Sequence, residues 1–350
     1  MKDHSAVINK FIISFVILKV LLSLFFFVIM NSFFDRDIFY HFDFYFYVNK
    51  PFEIGRNLGF RWLIWLLGIE SLNSILPVLL ALIINLSVDI AWIYLFSKYL
   101  NFRGLLLFVI MLGLQPYSAV YTFKFTTILF AKIGLYFFCS ELFNDGFNKI
   151  KKRAISISEI LLWTLLTLLR NSNLLISAPY LFLKLRKKPI QGIFLCSIFS
   201  FAILYASLDI RLIEGMSVSS WPWTLSYVKD LIGIQNDFIG LIVTLISKIF
   251  LLFGAREKLH NLGIEPFLVW GIPALELCIY FLLASIQLFG FYIGMRFIFK
   301  RYGFASLVIL IPIAVALMTV SHQRYLIPFI PICLFGLALT FDSKKSNISH

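Results

Sequence analysis

The run from Phe11 to Met30 reads FIISFVILKVLLSLFFFVIM and decides the class of the protein. It holds about 20 residues, interrupted only by serines and Lys19, and as a helix it would be roughly 30 Å long, the thickness of the hydrocarbon core of a bilayer. A polar stretch follows at once and reads NSFFDRDIFYHFDFYFYVNKPFEIGR, from Asn31 to Arg56. Since no small-residue cleavage site separates the two stretches, we expect the helix to be an uncleaved signal anchor.

The composition of the whole chain also indicates a membrane protein. Hydrophobic residues make up 60% of the 350 residues and charged residues only 14%, and the mean hydropathy is +0.90. A soluble core could not hide so much apolar surface. We therefore predict an all-α fold class, a polytopic transmembrane helical protein with about ten membrane-crossing helices, in which residues 1–350 form a single transmembrane domain.

The positions of the basic residues predict the orientation of the chain. Basic clusters recur in alternate connections, at Lys149 to Arg153, Lys184 to Lys188 and Arg296 to Arg301. Because basic residues favour the cytoplasmic side of a membrane, we expect a multi-pass protein with both termini in the cytoplasm. The formal net charge of +13 is then explained by orientation, and it gives no reason to expect nucleic acid as a partner.

Two segments allow more than one path through the membrane. Ile157 to Leu185 contains two short apolar pieces split by Arg170 to Asn173, and we predict a hairpin rather than one continuous helix because both flanks are basic. Phe238 to Phe253 could span the membrane, but a span there would move the later basic clusters to the outside. We therefore favour a helix that lies on or dips into the outer leaflet.

Under this topology the polar parts of the chain gather on the extracytoplasmic side, where the loops 32–58 and 209–266 would form the site. Asp35 and Asp37 are two residues apart, so in an extended segment they share a face. There they could hold a cation or a sugar hydroxyl, or one could act as a catalytic general base. The simpler interpretation is a solvated acidic pair at the end of a helix.

Cationic side chains in the same loops are candidates for binding a phosphate group of the substrate. Arginine can grip a phosphate with two parallel hydrogen bonds, and lysine can act as a point charge. Interfacial arginines also bind bulk lipid phosphates, and a lone histidine more often has a structural role. Arg170 stands out because it lies at the tip of two half-length helices. The candidates are Arg36, Arg56, Lys124, Arg170, His322 and Arg324.

Aromatic and amide side chains complete the predicted substrate-binding set, which comprises Tyr40, Gln115, Trp221, Trp223 and Tyr325. The two tryptophans could equally anchor the chain at the membrane interface. No HExxH, Walker A, GxSxG or CxxC motif is present, so a metal, if one is needed, would be Mg or Mn held by the oxygens of Asp35 and Asp37.

Four charged residues lie within predicted spans, where Lys19 and Lys132 balance Asp89 and Glu276 in charge. We expect a structural ion pair, or a lysine that reaches towards the interface.

In layout the chain resembles the C-type (GT-C superfamily) membrane glycosyltransferases. In that superfamily the closing span often begins with an Arg-Tyr-Leu-x-Pro-x-x-Pro pattern, and this chain departs from relatives in having Arg-Asn-Ser where they often show Arg-Pro-Thr. The resemblance rests on Asp35-Arg36-Asp37 after the first span, Pro116 in the second outward turn, the hairpin Leu-Leu-Arg170-Asn-Ser-Asn-Leu-Leu, and His322-Gln-Arg324-Tyr325-Leu-Ile-Pro328-Phe-Ile-Pro331.

The resemblance implies transfer of a sugar from a polyprenyl-phosphate-linked donor to a lipid-linked or surface glycan acceptor. The reaction would occur at the extracytoplasmic face of a bacterial inner membrane, in the biosynthesis of O-antigen or lipopolysaccharide-type surface polysaccharide. Asp35 or Asp37 would be the base or would hold the acceptor or a metal, and the basic residues would bind the lipid phosphate.

Two alternative functions stay open at this point. One is an O-antigen polymerase that joins undecaprenyl-diphosphate-linked repeat units. The other is a transporter of polysaccharide or of a lipid-linked sugar, against which the sequence shows no internal repeat of spans and few ionisable residues at the midplane. A single outward pocket would favour transfer, whereas a polar path through the whole protein would favour transport.

Overall fold

The computed structural model describes residues 2–34, 57–69, 75–152, 156–185, 235–253, 273–318 and 325–342. Every regular element in these ranges is helical, and they contain no strand. The predicted all-α class is therefore confirmed for this part of the chain.

The α-helices are short or long according to where turn-forming residues interrupt the apolar runs. Three 3₁₀ segments connect or begin helices, at Asn171–Asn173, Gly303–Ile309 and Ile327–Phe329. The α-helices are α1 (Lys2–Phe34), α2 (Leu58–Leu66), α3 (Ile75–Ser97), α4 (Phe102–Leu114), α5 (Pro116–Tyr121), α6 (Ile128–Lys152), α7 (Ile157–Leu169), α8 (Leu174–Leu185), α9 (Asp237–Leu252), α10 (Pro273–Tyr302), α11 (Leu310–Met318) and α12 (Ile330–Thr340).

Three segments of the described chain are long and apolar enough to cross a membrane: Ile8–Phe26, Ile75–Ser97 and Phe281–Leu317. The third is not one straight helix, because Gly303 has φ 61° and this left-handed conformation ends α10. Shorter apolar helices follow the same pattern at Phe102–Leu114 and Ile157–Leu169. These segments have the character of membrane helices.

Helix α1 shows how the apolar segments are oriented. Ile13, Ile17 and Leu21 repeat every four residues along one face and are each more than half exposed. Two residues further round the helix, Phe15 and Lys19 are fully buried. An exposed apolar stripe opposite a buried polar residue suits hydrocarbon as the surrounding solvent, rather than water.

Helices α10 and α12 form the closest packing in the bundle. A Cβ atom added at Gly336 would overlap the carbonyl oxygen of Gly290 and lie 2.5 Å from the backbone nitrogen of Gly294, and one added at Gly294 would lie 2.6 Å from the oxygen of Ile332. Small residues allow membrane helices to approach in this way. The two backbones are therefore in direct contact.

One end of the bundle, which we call the Asp342 end, is fixed by polar contacts between chain segments. The backbone N–H of Asn101 donates to Asp342 Oδ2 at 2.8 Å, and Asn101 Oδ1 accepts from the N–H of Gly104 and so caps α4. The hydroxyl of Tyr99 donates to the carbonyl oxygen of Phe143 at 2.9 Å and lies 3.3 Å from the hydroxyl of Tyr302.

The segment 157–185 is a hairpin, as predicted. Helix α7 ends at Leu169 and α8 returns beside it, with the hydroxyls of Thr167 and Ser177 3.3 Å apart. Near the other end of the two helices, the hydroxyl of Tyr180 donates to Glu159. The tip at Arg170 therefore points away from the Asp342 end, and we call its side of the bundle the Arg170 end.

Helix α9 is the segment for which a span and an interfacial helix were both considered. It has 16 residues, or roughly 24 Å, and does not reach the length of a span. Its last turn packs against α10, with ring centroids 5.2 Å apart for Phe250 and Phe281, and 5.4 Å apart for Phe253 and Phe291. Its position relative to a bilayer stays a prediction.

Aromatic rings fill the interior between the middle of the bundle and the Asp342 end. Phe96 and Phe335 stack at 4.1 Å, Trp92 stacks on Phe96 at 5.0 Å, and Phe108 and Phe143 meet Phe96 edge to face at 5.4 and 5.6 Å. We call these five residues the aromatic layer. They belong to α3, α4, α6 and α12, so the layer spans the bundle interior.

Candidate functional site

The structure describes four of the predicted site residues, Gln115, Lys124, Arg170 and Tyr325. The other predicted site residues lie outside the described residues, and their roles stay predictions. They are Asp35, Arg36, Asp37, Tyr40, Arg56, Trp221, Trp223, His322 and Arg324.

Arg170 is held by side chains from three separate parts of the chain. Its Nη1 donates to Thr127 Oγ1 at 2.6 Å and its Nε donates to Ser172 Oγ at 3.1 Å. The guanidinium carbon lies 5.7 Å from the ring centroid of Tyr325, a cation–π distance. We call Arg170, Thr127, Ser172 and Tyr325 the Arg170 site. Two predicted residues that are 155 positions apart in the sequence therefore meet here.

The partners of Arg170 are neutral. Among the described residues, no carboxylate forms an ion pair with it. The side chain is only partly buried, so one side of the guanidinium is open. Beside it, the buried hydroxyl of Thr126 has no hydrogen-bond partner within the described part of the chain. The charge of Arg170 is therefore not neutralised by a described carboxylate.

Asn173 fixes the turn that carries Arg170. Its Nδ2 donates to the carbonyl oxygens of Leu166 at 2.8 Å and Phe130 at 3.0 Å, which ties the end of α7 to α6. A Cβ atom on Gly134 would lie 2.6 Å from Asn173 Oδ1, so only glycine fits opposite this amide. Sequence reasoning treated Asn173 as one polar residue of the turn, and it did not identify Thr127 or Ser172.

Helix α2 packs beside the hairpin tip. A Cβ atom on Gly59 would lie 2.8 Å from the Cβ of Leu168, and the ring of Phe60 lies 5.4 Å from Phe125 and 5.8 Å from Phe130. Helix α2 begins at Leu58, at the end of the predicted outward loop 32–58. Gly59, the residue that follows this loop, therefore packs against Leu168, two residues before Arg170.

A second polar group lies deeper, between α1, α3, α4 and α6. Lys132 Nζ is 2.6 Å from Asp89 Oδ1, and it donates to Asn85 Oδ1 at 3.4 Å. Lys19 Nζ donates to the carbonyl oxygen of Leu112 at 3.2 Å. We call Lys19, Asn85, Asp89 and Lys132 the buried charge cluster, since all four are at least nine-tenths buried.

A structural ion pair within the spans was one of the two outcomes expected for these residues, and Lys132 forms such a pair with Asp89. The participation of Lys19 was not expected, and Asp89 and Lys132 lie near enough to interact with it electrostatically. Three of the buried charged side chains, Lys19, Asp89 and Lys132, therefore lie together; Arg61 on α2 and Asp342 after α12 are also buried. The side chain of Glu276 lies outside the described part of the structure.

The buried charge cluster is connected to the turn that leads to the Arg170 site. Asn85 Nδ2 donates to the carbonyl oxygens of Tyr121 at 3.1 Å and Thr122 at 3.2 Å. Lys124 Nζ lies 5.2 Å from the ring centroid of Tyr121. Three residues later comes Thr127, the partner of Arg170. The turn 121–127 therefore carries Lys124 and contacts Arg170, and the buried charge cluster lies beneath it.

Helix α3 shows where the polar interior stops. Asn85 and Asp89 are followed on the same helical face by Trp92 and Phe96 of the aromatic layer. Going from the Arg170 end to the Asp342 end, the interior changes from charged and amide groups to stacked rings.

The Arg170 site offers positive charge, hydroxyl groups and an aromatic ring, a combination that suits a phosphate-bearing ligand. Among the described residues, no group of three or more His, Cys, Asp or Glu side chains could hold a metal ion. The predicted carboxylate base, Asp35 or Asp37, lies outside the described residues. No family model matches the chain, and no curated protein or solved structure matches it.

Proposed function

We propose that the protein is a multi-pass membrane glycosyltransferase. It moves a sugar from a polyprenyl-phosphate-linked donor to a lipid-linked or surface glycan acceptor, on the extracytoplasmic face of a bacterial inner membrane. The observation that carries the proposal is the setting of Arg170, a partly open guanidinium held by neutral groups from three chain segments.

The depth of this cation favours a lipid-borne anion. Helices α7 and α8 have 13 and 12 residues, so they rise only about 18 to 20 Å, less than the ~30 Å of a hydrocarbon core. With their far ends at the cytoplasmic surface, the tip at Arg170 would lie below the outer headgroups. A cation at that depth is costly unless an anion meets it, and the phosphate of a lipid carrier is such an anion.

The aromatic layer supports transfer over transport. A transporter needs a polar route that can open to each side in turn. Here Arg170 is hydrogen-bonded to Thr127 at one end of the turn 121–127, and Asn85 is hydrogen-bonded to Tyr121 and Thr122 at the other end. Beyond Asn85 and Asp89, stacked rings follow on α3. A site that is polar on one side only fits a reaction carried out at one membrane surface.

The proposed reaction is a displacement at the anomeric carbon of the donor sugar. The acceptor hydroxyl forms the new C–O bond while Asp37 or Asp35 takes its proton. The bond between the anomeric carbon and the phosphate oxygen breaks, and its electron pair leaves with the polyprenyl phosphate. Arg170, Lys124 and Arg324 stabilise that negative charge in a partly dehydrated site.

A deletion strain of the host tests the proposal. Surface glycan and lipid-linked intermediates are compared by mass spectrometry with those of the parent. Loss of one sugar or branch is expected, and loss of chain length alone would identify a polymerase instead. If no glycan or lipid-linked intermediate changes, the proposal is wrong.

Complementation then assigns the effect to the site. Arg170→Ala should fail to restore the glycan at normal protein level. Arg103→Ala should restore it, because Arg103 is an exposed arginine at the start of α4, near the Asp342 end. Equal restoration by both variants would remove Arg170 from the mechanism.

A further inference from the structure

The buried charge cluster contains more positive than negative charge. It holds two ammonium groups, Lys19 and Lys132, and one carboxylate, Asp89. Helix α1 packs against α3, α4 and α5. In these helices the other described charged side chains are Lys10 of α1 and Arg103 of α4, and both are exposed. With all three groups ionised, the cluster carries a formal charge of +1 in an apolar interior.

Dipoles around the cluster do not cancel this charge. Lys19 donates to the carbonyl oxygen of Leu112 and Lys132 donates to Asn85, and both acceptors are neutral. Burial of a net charge is expensive unless an opposite charge lies within range. An anion bound at the Arg170 site would lower the cost of keeping Lys19 charged at this position.

The charge is better placed to act on the Arg170 end than on the Asp342 end. Lys132 lies five residues after Thr127 on α6, so about 7.5 Å of helix separates it from the Arg170 site. Ser23 follows Lys19 by one turn of α1, and its buried hydroxyl has no partner among the described groups. On the opposite side the aromatic layer offers no charge. Low-dielectric walls of this kind focus an electrostatic potential.

We propose that the positive charge of the buried charge cluster increases the affinity of the Arg170 site for a phosphate-bearing lipid. The cluster does so electrostatically, without contacting the phosphate. This inference rests on the proposed function and adds a determinant of substrate class, in which Lys19 favours a phosphorylated lipid over a neutral one. The residues of the cluster do not contact the ligand, and they act on it only through their charge.

A purely structural cluster would respond differently to substitution. The two roles predict opposite changes in phosphate affinity for one of two variants. Lys19→Met removes the excess charge, whereas Asp89→Asn raises it from +1 to +2. If the cluster acts by charge, the first variant weakens phosphate binding and the second strengthens it. If it only holds helices together, both variants loosen the site and both weaken binding.

The test measures the dissociation constant of undecaprenyl phosphate for the full-length protein in phosphatidylcholine nanodiscs, with uncharged undecaprenol as the second ligand. Lys19→Met should weaken binding of the phosphate lipid by about tenfold, which corresponds to about 1.4 kcal/mol. Undecaprenol binding should not change. Lys98→Met is the matched control, since it removes an exposed lysine of the same chain near the Asp342 end.

A rescue variant protects the test against misfolding. Asp89→Asn alone leaves two lysines together, and it is scored only on protein that elutes as a single species. The double variant with Lys19→Met and Asp89→Asn has the original charge of +1. It should recover the affinity that Lys19→Met loses, whereas a structural role predicts that the double variant is the weakest of all.

The outcomes separate the two proposals. If the unaltered protein does not prefer undecaprenyl phosphate to undecaprenol, the proposed function fails. If it does prefer the phosphate lipid, but Lys19→Met has no effect or the double variant shows no recovery, the electrostatic role of the buried charge cluster is wrong and the proposed function stands.

Discussion

The two halves of the bundle interior contain different kinds of side chain, charged and amide groups in one and aromatic rings in the other. Towards the Arg170 end the helices enclose the buried charge cluster, and towards the Asp342 end they enclose the aromatic layer. Stacked rings give stability through apolar area and shape. Charges in the same position give little net stability, because their desolvation offsets their attraction.

On the proposed function, the aromatic layer stabilises the fold, and the buried charge cluster serves the Arg170 site. Phe96 contacts four other rings, and each is as apolar as the lipid outside, so the layer depends on shape alone. Asp89 and Lys132 could be replaced by well-packed apolar residues at small cost. On the proposed function, their position on the side of Arg170 is explained by a role in the site.

The largest effect is expected where α10 and α12 touch. Gly336→Ala places a methyl group into the backbone of Gly290, which neither helix can avoid without separating. We expect a loss of about 5 kcal/mol or more, the range reserved for severe overpacking, seen as absence of a monodisperse peak in detergent.

The matched control is Gly104→Ala. Its Cβ would meet side-chain atoms of Asp342 and Leu100 at 3.3 Å, and these ends can move. It should cost less than about 1 kcal/mol. Similar melting curves for the two variants would mean that α10 and α12 are not in backbone contact.

The second effect compares breaking the buried ion pair with replacing it. Asp89→Leu leaves Lys132 buried without its partner and should cost about 3 to 5 kcal/mol. The double variant with Asp89→Leu and Lys132→Met should recover most of this loss in a thermal melt. If the double variant is as unstable as the single one, the charges stabilise the fold, and the contrast with the aromatic layer disappears.

Parts of this arrangement could be predicted from the sequence because charge breaks the apolar pattern. The basic flanks of 157–185 predicted the hairpin, and the lone charges in apolar runs predicted either an ion pair within the spans or a lysine that reaches the interface. The placement of Arg170 and Tyr325 on one side followed from the same argument. These predictions needed only the count and sign of charges along the chain.

The remaining features depend on which face of each helix is turned inward. In a membrane protein the lipid-facing side is also apolar, so periodicity does not mark the inner face. Helix α12 is apolar all round, and nothing in its sequence marks Gly336 as a contact point. The same ambiguity hid Lys19 as a partner of Asp89, and hydroxyls such as Thr127 are too common to single out.

The third effect tests geometry against charge at Arg170. Arg170→Lys keeps the positive charge but cannot donate to Thr127 and Ser172 while also presenting a fork to a phosphate. We expect the affinity for undecaprenyl phosphate in nanodiscs to fall about tenfold, corresponding to one charge-assisted hydrogen bond, and the free energy of unfolding to fall by about 1 kcal/mol. Arg103→Lys serves as the control. Full affinity in Arg170→Lys would reduce the site to a simple point charge.

The smallest effect compares one hydrogen bond in each half. Ser172→Ala removes an acceptor from Arg170 Nε, and Asn101→Ala removes the cap of α4 at the Asp342 end. Each should lower the free energy of unfolding by about 1 kcal/mol. Only Ser172→Ala should weaken undecaprenyl phosphate, by about threefold, because its loss frees the guanidinium to rotate. If Asn101→Ala weakens the lipid equally, binding follows global stability, and the two halves are not functionally distinct.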